Sequence, residues 1–183
     1  DTSQSSSAGR GGDILITAPS GSTIDFAGNV QLVSDAHAGE DQAGTAGNIT
    51  VDAAGGNLNF HGSLAASASG YGGAGGPQDT GPAGTGQGGT ISVDATGGGT
   101  LTASDSFNLT ADGFGGSADS QGTGVGGHGS GGVIDINSSS SGTLAFDEVD
   151  LDASGNGGIA TNNAGGTAQG GTVSVMLDNG QGH

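Results

Sequence analysis

Cysteine and tryptophan are absent from this chain of 183 residues, and lysine and arginine together amount to a single residue, Arg10. Without cysteine there are no disulfides and no thiolate metal sites, and cysteine usage leaves the compartment open. One cation against 18 Asp and Glu gives a formal charge of −17. Such a chain cannot displace counterions from phosphates, so nucleic acid is excluded as a partner. Attraction to anionic lipid fails for the same reason. Aromatic residues make up 3% and charged residues 10%. No apolar run approaches the roughly 20 residues of a membrane span, so no membrane insertion is expected. No leader pattern is recognisable. The first residue is Asp1, and Val173-Ser174-Val175 opens a pattern that is not completed. The expectation is a processed segment or a piece of a longer chain.

Glycine is what the chain has in excess, with 44 residues. Abundant Gly and Ser with little apolar area normally means disorder. That reading requires scattered apolar residues, and here they recur in order. An alternating strand follows glycine five times, near residues 11, 47, 88, 131 and 170: GGDILIT, GNITVD, GGTISVD, GGVIDIN and GGTVSVM. Its inward positions are Ile14, Ile49, Ile91, Ile134 and Val173, then Ile16, Val51, Val93, Ile136 and Val175. A second short strand supplies Ile24, Leu58, Leu101 and Leu144, then Phe26, Phe60, Ala103 and Phe146. A third supplies Val30, Leu64, Phe107 and Val149, then Leu32, Ala66, Leu109 and Leu151, and closes on Ser34, Ala68, Ala111 and Ala153.

Period-2 alternation is the mark of half-buried strands, and no stretch shows helical spacing. Three short strands per repeat cannot bury their faces alone, so neighbouring copies must stack. The expected fold is therefore all-β: a right-handed parallel β-helix (β-solenoid) with three short strands per coil and Gly-rich loop insertions. The expected organisation is an extension or incoming coil over 1–10, four repeats and a partial fifth over 11–178, and a C-terminal end over 179–183.

The insertions fall at one place in every repeat. They open as Asp35-Ala36-His37, Ser69-Gly70-Tyr71, Asp112-Gly113-Phe114 and Ser154-Gly155-Asn156, which makes His37, Tyr71, Phe114 and Asn156 a candidate stacking column. Glycine then recurs every third residue, as in Gly70, Gly73 and Gly76. A threefold, polyproline-II-like backbone packed closely needs that spacing. Mobile loops that merely tolerate glycine are the alternative, and at this point both readings stand.

Catalysis finds no machinery, and the chain is not expected to be an enzyme. A lyase acting on acidic sugars needs cations to stabilise an enolate, and Arg10 precedes the first repeat. A hydrolase needs converging carboxylates, whereas Glu40-Asp41 and Asp147-Glu148 are chain neighbours. His37, His61, His128 and His183 lack ligand spacing, though His37 lies close to Glu40 and Asp41 in sequence. No G-x-S-x-G elbow sits in a strand-turn-helix setting. For a cofactor, the one candidate is calcium. Asp52, Asp94 and Asn137 end equivalent strands, and a hard cation would relieve the repulsion of a carboxylate ladder. Asp147, Asp150 and Asp152 form a second acidic patch, but the Gly-Gly-x-Gly-x-Asp nonapeptide of calcium-binding β-rolls is missing. Asn48, Asn108 and Asn137 begin glycosylation triplets of the kind that chance supplies in such a composition.

The phrases AGNITVDA (Ala46 to Ala53), GGTISVDA (Gly88 to Ala95) and GGVIDIN resemble the repeats of filamentous-haemagglutinin-like proteins, large bacterial exoproteins and autotransporter passengers. The resemblance spans roughly residues 11 to 178 and rests on repeat style. It implies a right-handed parallel β-helix, outer-membrane secretion to the cell surface or matrix, and adhesion or matrix building. The Gly-rich insertions are longer than that family's pattern and point towards a specialised fibre. The expected function is an extracellular structural or adhesive fibre segment, with other copies of itself, matrix glycans or cell surfaces as partners. A carbohydrate-binding or polysaccharide-degrading β-helix is the alternative. An ice-binding surface is disfavoured, because the outward row Leu15, Thr50, Ser92, Asp135 and Ser174 is not a regular Thr array.

Overall fold

Strands that alternate apolar and polar residues can hide only one face, and in this protein they hide it by lying on the same strand of the next repeat. The computed structural model describes residues 7–77, 79–139 and 141–178. Among these the chain is all-β, without helices, and every pairing between its strands is parallel.

The strands fall into four sheets. An entry sheet takes one strand from each repeat, Ile14–Thr17, Asn48–Ala54, Thr90–Thr96, Val133–Ser138 and Thr172–Leu177. Its register aligns Ile14, Ile49, Ile91, Ile134 and Val173 in one column. A broad sheet holds the second and third strands of each repeat. These are separate in the first two repeats, as Thr23–Phe26 with Val30–Val33 and Asn57–Phe60 with Leu64–Ser67. In the third and fourth they run on as single strands, Thr100–Thr110 and Thr143–Asp152. Three short strands per repeat therefore describes the early repeats only. A register shift between Ala103 and Ser106 marks where the two segments join.

The core lies between the entry and broad sheets. Ile49, Val51, Leu58, Leu64, Ile91, Val93, Leu101, Phe107 and Ile134 are fully buried there. Burying each such side chain contributes roughly 1.5–3 kcal/mol before ordering entropy is subtracted. Polar residues on the outer faces continue the stack: Asn59 Nδ2 donates to Asp25 at 2.8 Å, and Thr102 Oγ1 donates to Asn59 at 3.2 Å. The corner between the two sheets turns through Gly55 (φ 78°) and Gly97 (φ 59°), a left-handed backbone that glycine adopts without penalty.

Two further sheets, only two residues wide, form a neck beside the core. One contains Gly9–Arg10, Gly44–Thr45, Gly86–Gln87, Gly129–Ser130 and Ala168–Gln169. The other contains Ala36–His37, Gly70–Tyr71, Gly113–Phe114 and Gly155–Asn156. The Gly-rich insertions leave and return through this neck.

Candidate functional site: the glycine fin and the acidic columns

Beyond the neck, each insertion runs out along one arm and back along another, and the arms of successive repeats stack. Hydrogen bonds along the stack recur at every third residue. On the outgoing arm Ala38 and Asp41 donate to Tyr71 and Ala74, Gly72 and Gly75 to Phe114 and Ser117, and Gly115 and Ala118 to Asn156 and Ile159, at 2.8–3.1 Å. The return arm keeps the same step, with Ala83 and Gly86 donating to Val125 and His128. A threefold extended backbone presents its donors in this way.

A second set of bonds runs across the two arms and through all the repeats. Gly73 donates to Gln42, Gly84 to Gly73, Gly116 to Gly84, Gly127 to Gly116, Gly158 to Gly127 and Gly166 to Gly158, at 2.7–3.0 Å. The outgoing arms supply Gly73, Gly116 and Gly158, and the return arms supply Gly84, Gly127 and Gly166. Glycine is needed here for close approach. A Cβ on Gly116 would be driven into the Gly73 carbonyl, and one on Gly127 into the Gly84 carbonyl. The insertions are thus joined into a thin fin packed backbone to backbone.

The candidate ring column stands on the outer side of the neck. Register places His37, Tyr71, Phe114 and Asn156 one above another. His37 and Tyr71 stack with centroids 4.4 Å apart and planes 3° apart, and Tyr71 and Phe114 stack at 4.9 Å and 7°. Each inner ring face is covered by its neighbour, which leaves ring edges for solvent. Next to the column, the residues that open the insertions alternate as Asp35, Ser69, Asp112 and Ser154. Asp35 accepts from the Ser69 N–H at 2.7 Å, and Asp112 accepts from the Ser154 N–H at 2.7 Å. The alternation keeps these carboxylates from lying on one another. Burial, first of all, pushes the Asp112 carboxyl above the usual carboxylate range, and it raises the Tyr71 phenol as well.

The ladder considered for calcium is in register, with Asp52 on Asp94 and Asp94 on Asn137. Asp94 accepts from the Ser92 hydroxyl at 2.7 Å, whereas Asp52 Oδ1 is buried without a hydrogen-bond partner. Burial, and then the charge of Asp94, holds the Asp52 carboxyl above its ordinary range. Among the described residues no group of three or more His, Cys, Asp or Glu is arranged to hold a metal ion.

Of the histidines, His128 meets the Thr167 hydroxyl at 2.8 Å, and His61 lies 3.7 Å from Asp25 with both side chains exposed. His183 lies outside the described residues. Sequence reading did not anticipate the meeting of Asp41 with Asp79 across two insertions. Burial, then a hydrogen bond with Asp79 and its charge, raises the Asp41 carboxyl. No sequence signal pairs the two, because insertion length sets which tip residues meet. No family model, curated protein or solved structure matches the chain.

Proposed function

We propose that the chain is a segment of a right-handed parallel β-solenoid that serves as an extracellular structural or adhesive fibre, of the kind built by filamentous-haemagglutinin-like exoproteins. The observation that carries this reading is where the apolar surface lies. Among the described residues the exposed large apolar side chains are Leu15 and Val33 in the first repeat, Val149 and Ile159 in the fourth, and Val173, Val175, Met176 and Leu177 in the partial fifth, with none in the second or third. Of these, Val149, Val173, Val175 and Leu177 are inward positions laid open at the end of the described stack, whereas Leu15, Val33 and Met176 stand on outward positions. Such an end continues into further coils or other molecules, and acidic flanks keep parallel fibres apart.

In this reading the fin widens the fibre and stiffens it at little cost in side-chain entropy, since glycine has none to lose. The carbohydrate-binding alternative draws no support from the ring column, because sugars stack on open ring faces and these rings cover one another. Electron cryo-microscopy of the purified protein at several concentrations, with and without calcium, tests the proposal. Filaments with an axial repeat of about 4.8 Å support it. Dispersed monomers under every condition would remove the fibre and leave adhesion alone.

A further inference from the structure

Where the broad sheet turns into the neck, one carboxylate motif occurs twice, and the second copy lacks a donor that the first has. Between the first and second repeats the carboxylate is Asp35, which accepts from the Ser69 N–H at 2.7 Å and from the Ser67 hydroxyl at 2.6 Å. Between the third and fourth it is Asp112, which accepts from the Ser154 N–H at 2.7 Å. Register carries the Ser67 position through Thr110 to Asp152, so a second acid stands where the hydroxyl donor stood. Asp112 and Asp152 lie within hydrogen-bonding reach of each other. Ser154 straddles them, with its N–H on Asp112 and its hydroxyl on Asp152. Asp112 is only 6% exposed, whereas Asp152 reaches solvent.

Two carboxylates in such a contact repel, and one proton between them turns the repulsion into a hydrogen bond. Protonated Asp112 then donates to Asp152, which restores the missing link in this copy of the motif. Burial, above all, raises the Asp112 carboxyl; the Ser154 N–H draws it down, and the charge and hydrogen bond of Asp152 raise it again. The other titratable groups around Asp112 are Tyr71 in the second repeat, with Asp35 beyond it, and Asp150, two residues before Asp152 on the same face of its strand. The neck strands packed on this corner, Gly86–Gln87 and Gly129–Ser130, are uncharged. Neither carboxyl has a cation partner among the described residues.

We propose that Asp112 and Asp152 form an acid-operated clasp at the base of the fin: with one proton between them the fourth insertion is fastened to the third, and with both ionised that junction loosens. Loosening breaks the bonds that flank the pair, from the Ala111 N–H to the Asp152 carbonyl at 2.8 Å and from the Gly113 N–H to the Ser154 carbonyl at 2.9 Å. The closed form holds the extra proton, so closure is favoured below the raised pKa of Asp112 and is lost as pH rises through it. At the Asp35 junction the Ser67 hydroxyl donates to the ionised carboxylate, and no such response arises above the ordinary carboxylate range. The contact lies between strands that are paired on both sides of it, Thr110 with Asp152 and Gly113 with Gly155. The clasp therefore works within one molecule, whether or not molecules join into fibres.

Amide exchange tests this, taken as protection relative to an unstructured peptide so that the pH dependence of exchange itself cancels. As pH is raised from about 4.5 to about 8, across the carboxylate range and beyond it, protection of the Ala111 and Gly113 amides should fall. The fall is at most about tenfold per pH unit, the limit for one proton. The Ser34 and Ala36 amides, which donate to the Ser67 and Ser69 carbonyls at the Asp35 junction, should hold. High salt should restore part of the loss at the alkaline end by screening the pair. D152S supplies the hydroxyl that Ser67 gives to Asp35, and D152N removes the charge while keeping the shape. Both should keep Ala111 and Gly113 protected throughout, with Ser34 and Ala36 as the check that the stack is intact. Protection of Ala111 and Gly113 that ignores pH in the parent protein overturns the clasp, as does a D152S variant that keeps the parent's response. An equal loss at Ser34 and Ala36 assigns the response to the acidic surface as a whole and overturns it too.

Discussion

Phe107 stacks on Phe146 with ring centroids 4.1 Å apart and planes 12° apart, although the two occupy different columns of the broad sheet. Phe146 continues the column of Phe26, Phe60 and Ala103, and Phe26 stacks on Phe60 within it at 4.7 Å. Where the third repeat breaks that column with Ala103, Phe107 from the adjoining column fills the space. Volume is conserved across two columns, and the ring has changed places.

Phe107→Ala should therefore cost about 3–5 kcal/mol, the range for an emptied aromatic site. Ala103→Phe alone adds a ring to filled space and should cost about 1–3 kcal/mol. The double variant A103F/F107L recreates the Phe60 and Leu64 pairing of the second repeat. It should be more stable than the sum of its single changes allows, by about 1 kcal/mol or more. Urea unfolding midpoints of the parent, A103F, F107L and A103F/F107L check this, and strict additivity would refute the shared-volume account.

Gly116→Ala should loosen the fin, because the added methyl meets the Gly73 carbonyl, a backbone atom held by its own hydrogen bond. Gly81→Ala, with open space around it, should change little. Hydrogen exchange is the measurement. In the parent protein the amides of Gly84, Gly116 and Gly127 should be protected, and in G116A they should exchange at least about tenfold faster while the entry-sheet amides hold. Parent amides exchanging at the unprotected rate would show that the insertions are mobile.

Acid should stabilise this protein before it harms it. Asp41, Asp52 and Asp112 all have carboxyls raised by burial in the folded chain. The folded state then binds more protons than the unfolded one between the ordinary carboxylate pKa and the raised values, so stability falls as pH rises through that window. Melting temperature should climb as pH is lowered from 7 towards the carboxylate range. Asp52→Asn, which copies the Asn137 end of its column, should raise stability at pH 7 by up to about 1 kcal/mol and flatten part of the climb. A melting temperature that drops steadily from pH 7 downward would contradict this.

The strand columns were legible in the sequence because a period of two survives any insertion between repeats, so Ile49, Ile91 and Ile134 declare themselves neighbours. The place of the insertions was legible too, since Gly70, Gly113 and Gly155 follow the same closing residues. What alternation cannot express is volume, so the exchange of Phe107 for Ala103 read as two unrelated substitutions. The joining of strands across Ala103 and Ser106 also escaped, because apolar spacing marks columns and is silent on whether the backbone between them stays extended. The bonds between outgoing and return arms depend on how far each insertion runs before it turns. No periodicity in the chain encodes that length.

Tyr71 is the chain's one tyrosine, and there is no tryptophan, so its phenol absorbance reports one place in the neck without interference. It lies between His37 and Phe114, and burial first, then the charges of Asp35 and Asp112, push its ionisation above the ordinary value near 10. An alkaline titration followed by phenolate absorption should give a midpoint above that of the protein in urea. Asp112→Asn removes one of the two charges and should lower the folded midpoint, while Asp147→Asn, far from the column, should not. Because the folded phenol holds its proton longer, stability should fall as pH rises from the unfolded value to the folded one. A folded midpoint equal to that in urea would mean that the ring is fully hydrated, and the stack of His37, Tyr71 and Phe114 would then not persist in solution.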